Sequence, residues 1–290
     1  MPKLCRICNT ACVCAFTFIA SASAETYFNY NQTYDLSTAP ELKIVTYAID
    51  NLKADKIGTL ASGLYLLDAD VIALNESSEN MTSEYFSEAV KELSRLINYS
   101  YVLSDKTDTG NCSVGLISRY PIYNVVSLNY QDVSQHLPPI LCAEVKLPQF
   151  DSPVLFLNTA FENNEDLESK IAAIRSINDF VKNPYDNSNA ITDKDLKIKI
   201  LTGNFNDTAN GPVLYELSRY FNLVDSQNNE DFRTYPALNP ALDLSHILTY
   251  RGQVWKTTAI TVIKGNHGHM PWQEFSSHLP IFATLKLIEQ

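Results

Sequence analysis

Five short apolar segments of this chain run into polar residues of the types that handle cations, protons or phosphate-like groups. They are IVTYAI (44–49), DVIALNE (70–76), LNTAF (157–161), LTGNFN (201–206) and SSHLPI (276–281). Glu76 closes the second with a hard oxygen donor of the kind divalent cations take. Asn206 offers an amide that can hold a phosphate-like group, although an Asn after Gly-x-Phe equally serves a turn. His278 is either a donor to developing negative charge or a ring that packs at a strand end. His246 reads as structural. His267 and His269 have a His-x-His spacing but need a third ligand from elsewhere, so a solvated loop explains them better. Trp272 either lines a cleft or covers the core. Arg119 and Tyr120 precede Pro121, a strand-end marker, and receive no catalytic role.

The elements that must position these residues are legible from periodicity. Residues 42–49 (LKIVTYAI) and 70–74 (DVIAL) are short, apolar and β-branched, as buried strands are. Between them, residues 54–67 place Ile57, Leu60, Ala61, Leu64 and Leu67 at helical spacing. A second helix is predicted over 83–97 on Phe86, Val90, Leu93 and Ile97. A third is predicted over 164–181 on Leu167, Ile171, Ile174, Ile177 and Val181. Further strands are predicted at 101–104, 113–118, 122–128, 140–147, 153–158, 196–201, 245–250, 253–262 and 280–288. The stretch 182–194 reads as a surface loop. Helices alternating with strands, some at hairpin spacing, predict an α/β fold with mixed sheets and flanking helices.

With GLISRYPI (115–122) in support, the five segments in this order resemble the endonuclease/exonuclease/phosphatase superfamily. The resemblance runs from about Leu42 to Leu287. It implies a four-layer α/β/β/α sandwich of two mixed β-sheets flanked by helices, with a site at one edge. That family includes magnesium-dependent nucleases, sphingomyelinases and phosphatases. Their chemistry is water attack on a phosphorus ester: a cation offsets phosphate charge, a carboxylate activates the water and histidines stabilise developing charge.

Position by position, the resemblance implies a depleted site. Ala48 stands where the family has an asparagine, and Asn51, at an odd offset from it, is no replacement. Asn75-Glu76 matches the family's Gln-Glu pair, so Glu76 keeps the principal metal carboxylate. Ala160 replaces the phosphate-facing histidine of Asn-Thr-His. Asn204 replaces the water-activating aspartate of Gly-Asp-Phe-Asn, while Asn206 is kept. Ser245 precedes His246 where an aspartate is usual, and Ser277 replaces the aspartate of Ser-Asp-His, leaving His278. Asp243, two positions before Ser245, is the one candidate replacement carboxylate. A general base is worth roughly 10²–10⁴-fold and a charge-stabilising donor roughly 10²–10³-fold, so these combined losses remove most of the family's rate.

Composition narrows the remaining choices. Residues 1–24 read as an export signal: Lys3 and Arg6, an apolar run at 11–20, then Ala22-Ser23-Ala24. Residues 25–40 form a polar leader, and 41–290 the family-like domain. Cys5, Cys8, Cys12 and Cys14 leave with the signal. Cys112 and Cys142 remain, as a disulfide or as two buried thiols; they open two strands close in sequence and can be bridged if those strands are neighbours in one sheet. Formal net charge is −11, which makes long nucleic acids poor partners. The sequence therefore predicts a secreted or periplasmic pseudo-enzyme that binds a protein or a small phosphorylated ligand and needs no cofactor. The alternative is a divergent magnesium-dependent phosphoesterase that rebuilt its site from Glu76, Asp243, Asn206 and His278.

Overall fold

The computed structural model describes residues 36–76, 81–104, 113–128, 140–182, 198–225 and 231–289. All of them fall in one compact unit, Asp35–Gln290. Two crossovers organise it. Strand β1 (Glu41–Ala48) leads through helix α1 (Ile57–Leu66) to a parallel neighbour, β2 (Val71–Glu76). Strand β7 (Val154–Ala160) leads through α3 (Leu167–Lys182) to its own parallel neighbour, β8 (Lys199–Asn204).

Antiparallel strands extend each pair. Helix α2 (Ser83–Ile97) connects β2 to β3 (Ser100–Leu103) and β4 (Ser113–Ser118); β5 (Ile122–Leu128) and β6 (Ile140–Val145) follow. After β8 come α4 (Pro212–Leu217), β9 (Phe221–Leu223), β10 (Ser245–Tyr250), β11 (Val254–Val262) and β12 (Ile281–Glu289). The first sheet has six strands in the order β11-β12-β1-β2-β4-β3, and the second has six in the order β5-β6-β7-β8-β10-β9.

Burial explains why the inner strands read as continuous apolar runs. Every residue of β2, β4, β6, β7 and β8 is buried, because each sheet packs on its twin and also under helices. The outer strands β5 and β11 alternate between partly buried and exposed positions instead. Apolar residues between the sheets join those beneath α1 and α2 in one core, with Ile44, Ala73, Ala143 and Phe156 among them. A second core lies beneath α3 and α4 and includes Leu155, Leu157, Ile174, Ile177 and Leu217.

The four-layer sandwich is present, with local differences from the sequence reading. The first predicted helix begins as a 3₁₀ turn at Ala54–Lys56, and β2 and β7 each run two residues further than expected. The six-residue α4 and three-residue β9 are too short to show periodicity. Helix α4 starts with Pro212 at its first turn and is capped from outside, where Asp207 Oδ2 accepts the Val213 N–H at 2.7 Å. The export signal, most of the polar leader, the 182–194 loop and Cys112 fall outside the described residues, apart from 36–40 and Lys182.

The cysteine expectation needs correction. Strand β4, which follows Cys112, lies in the first sheet and β6 in the second, so the two cysteines do not open neighbouring strands. Cys142 is the third residue of β6, a free thiol fully buried in the core beneath α3, and burial pushes its pKa up. Among the described residues no helix is long and apolar enough to cross a membrane.

Candidate functional site

The carboxyl ends of the two parallel pairs come together at one edge of the sandwich. Their floor is a buried amide bridge between the sheets. Asn75 Nδ2 donates to Asn158 Oδ1 at 2.9 Å, and Asn158 Nδ2 donates to the carbonyls of Leu74 (2.9 Å) and Gly115 (3.0 Å). Thr202 Oγ1 also donates to Asn158 Oδ1 at 3.1 Å. Both asparagines therefore serve the framework.

Beside this floor, three of the positions that the resemblance reads as substituted lie in one row. Ala160 is in register with Asn204, and Asn204 with Ser245 across the next pair. Directly opposed residues share a face, so these side chains stand together, and all three are buried. Asn204 Oδ1 accepts the backbone N–H of Asn206 at 3.4 Å. Shifting the row by one residue would bring Thr159, Gly203 and His246 together instead, again without a carboxylate. Gly203 is itself required there, since a Cβ would stand 2.4 Å from the Thr159 carbonyl oxygen.

The closing motif is tied to the end of β1. Ser276 Oγ donates to the Ala48 carbonyl at 2.7 Å and accepts the His278 N–H at 3.1 Å. The Ser277 N–H donates to the Asp50 carbonyl at 3.4 Å. His278 is 3 % exposed, and its Nε2 lies 3.6 Å from an Asp50 carboxylate oxygen. Burial lowers its pKa to about 4, so the ring is neutral. Tyr235 stacks on it with ring centroids 4.8 Å apart. The Tyr235 strand segment is held by reciprocal backbone bonds with Leu242 (2.9 and 3.0 Å), and Ala237 N–H donates to the Ser277 carbonyl at 2.7 Å.

Asp50 is among the site residues that sequence reasoning missed, with Glu162, Asp207 and Tyr235. It stands two positions past Ala48, the offset that keeps a side chain on the same face, so the signal was available. With Asn206, Asp207, Tyr235, Ser277 and His278 it lines a cleft of about 590 Å³. Asn206, at φ 44°, donates from Nδ2 to the Phe161 carbonyl and fixes the turn after β8 while facing the cleft.

Other expected residues lie elsewhere. Glu76 is fully buried at the end of β2 and is not part of the cleft lining. Asp243 lines a separate cavity of about 70 Å³ with Ser245 and His246, and its Oδ2 accepts the Ala209 N–H at 3.0 Å. Of Glu76, Asp243, Asn206 and His278, only Asn206 and His278 line the cleft. His246 is buried, donates from Nε2 to the Asp207 carbonyl at 3.0 Å, and is held below the usual histidine pKa by burial. His267 and His269 are exposed. Trp272 covers the core, edge-on to Tyr47 and Phe275. Arg119 bonds Tyr99 and Asp68 near the start of β2, the end of that strand remote from Glu76.

No family model and no curated protein matches this chain. Solved structures do. An endonuclease/exonuclease/phosphatase from Bacteroides vulgatus superposes with a TM-score of 0.66 at 12 % identity, covering 86 % of this chain and 100 % of that one. A family protein from Bacteroides thetaiotaomicron gives 0.64 at 13 % identity over 87 % and 99 %. The mannosyl-6-phosphatase of the same organism gives 0.62 at 14 % over 85 % and 99 %. This chain has the endonuclease/exonuclease/phosphatase fold.

Proteins of this fold are generally divalent-metal dependent, so the donor set deserves a direct test. Among the described residues, no three His, Cys, Asp or Glu side chains converge as ligands for an ion. Magnesium requires near-octahedral oxygens at close range, usually including one or two carboxylates. Asp50 faces His278, and Glu76 lies outside the cleft lining. The described donors do not fit that ion.

Proposed function

We propose that this chain is an exported binding protein built on a phosphoesterase fold, a pseudo-enzyme whose cleft recognises a ligand without hydrolysing it. The observation that carries the reading is the row Ala160, Asn204 and Ser245, neutral and buried side by side at the end of the second sheet. An amide at position 204 accepts no proton near neutral pH. Its oxygen accepts the Asn206 N–H at 3.4 Å. A water activated there would need a base that the row does not contain.

The cleft remains well formed although the row is chemically inert. Ser276 and Tyr235 lock the closing motif, and His278 keeps its carboxylate neighbour. A recognition role uses that geometry without requiring turnover. The leader at residues 1–24 supports export.

Hydrolysis of a panel of phosphodiesters and phosphomonoesters tests the reading, run with magnesium or manganese, with chelator, and beside Asp50→Asn and Glu76→Ala. The expected result is no turnover above the variant backgrounds. Chelator-sensitive turnover lost in either variant would overturn it and point to an active divergent phosphoesterase.

A further inference from the structure

We propose that the cleft takes a neutral sugar residue; this rests on the non-catalytic reading of the same site. Its charged groups are already engaged within the protein. Asp207 Oδ2 accepts the Val213 N–H at 2.7 Å at the start of α4. Asp50 faces His278 Nε2 at 3.6 Å, and Glu162 has partners of its own. No Lys or Arg is among the described residues that line the cleft, so the usual side chains for a phosphate are not among them.

What the cleft leaves uncommitted is neutral. Asn51, Asn163, Thr208 and Ser277 line it, and none of their side chains bonds another described residue. They come from four separate segments: the turns after β1, β7 and β8, and the closing motif. Amides and hydroxyls both donate and accept hydrogen bonds. The hydroxyl of a sugar does the same, so each of these groups pairs with it in whichever direction the geometry sets.

One wall is apolar, and that is the second, independent observation. Tyr235 and Leu242 are joined by reciprocal backbone bonds, line the cleft, and remain 37 % and 43 % exposed. Stacking on His278 at 4.8 Å holds the Tyr235 ring in place before any ligand arrives. A pyranose matches this division of the walls, with C–H groups on one face and hydroxyls around its rim. Its C–H face suits the negative face of an aromatic ring. The cleft, at about 590 Å³, falls in the size range of small-molecule sites. A peptide is the poorer guest, because the strands of both sheets meet the cleft at their ends and offer it no edge to extend.

Titration calorimetry on the protein tests this with glucose, galactose, mannose and N-acetylglucosamine, each beside its methyl glycoside. Glucose 6-phosphate and inorganic phosphate serve as charged probes. At least one neutral sugar is expected to bind, with an affinity that does not fall as salt is raised. Binding of the free sugar alone assigns a free monosaccharide, and binding of the glycoside as well assigns the end of a glycan chain. Tyr235→Ala should weaken binding by about tenfold or more, whereas Tyr235→Phe, which keeps the ring, should stay within about threefold. Asn51→Gly, which the φ of 64° accommodates, and Asn163→Ala should each weaken it by about two- to tenfold without disturbing the fold. Failure of every neutral sugar, tighter binding of either phosphate probe, or indifference to Tyr235→Ala, Asn51→Gly and Asn163→Ala alike would overturn the proposal. Turnover in the phosphoester panel with sugar binding intact would sink only the non-catalytic reading. No turnover and no sugar binding would sink only this one.

Discussion

Removing the Asn158 amide should cost this protein a large share of its stability, because that group joins the two sheets directly beneath the cleft. It makes four hydrogen bonds at 2.9 to 3.1 Å, two as donor and two as acceptor. Asn158→Ala strands the Asn75 Nδ2 donor in a place closed to water and strips one contact from each of two buried carbonyls. Thr202 suffers less, since its hydroxyl can turn wholly to the Leu157 carbonyl at 3.2 Å. With each stranded group costing about 1–3 kcal/mol, the sum is about 3–5 kcal/mol. A domain of ordinary stability holds roughly 5–15 kcal/mol, so the variant should remain folded but only just.

Urea unfolding followed by tryptophan fluorescence and circular dichroism measures the loss as a shift in midpoint at constant slope. The partner makes the test specific. Once Asn158 is alanine, Asn75 has nothing left to bond, so Asn75→Ala in that background should cost at least about 1 kcal/mol less than in the wild type. A single-variant loss below about 1 kcal/mol, or strict additivity of the pair, would refute the claim that the bridge fastens the sheets.

Two other outcomes follow from burial. His278 is held near pKa 4 and His246 below its ordinary 6.5, both by desolvation. The unfolded chain binds these protons first, so their contribution is complete above about pH 6.5 and declines as pH falls, for His278 down to about pH 4, at up to about 1.4 kcal/mol per pH unit for each ring. His278→Gln should flatten that limb of a midpoint-against-pH curve by one histidine's share, and an unchanged slope would contradict the assignment. Cys142, buried and free, should resist alkylation in the native protein and react only after unfolding, as peptide mass mapping would show. Rapid native labelling at Cys142 would mean that the layer beneath α3 opens.

What the sequence displays and what it conceals divide along the boundary between strand and loop. The limits of β4 and β10 match the apolar pattern residue for residue, because a strand buried on two faces tolerates little else, and those of the outer strand β5 match as well. Residues 160, 204 and 245 were legible as strand-end positions for the same reason, and strand register brings them into one row, whatever they are. Asp50 escaped notice because it lies in the turn past the end of β1, where pairing ceases. Helix α4 escaped because six residues contain less than two turns. The character of the cleft was hidden more deeply, since Glu162, Asp207 and Tyr235 all belong to turns and loops beyond the strand motifs. No periodicity constrains a loop, so its charge can invert while the motif beside it survives. A motif-centred reading therefore registers what the strand ends carry sooner than what the loops beside them present, and Glu162, Asp207 and Tyr235 are residues that only the fold brings to the cleft.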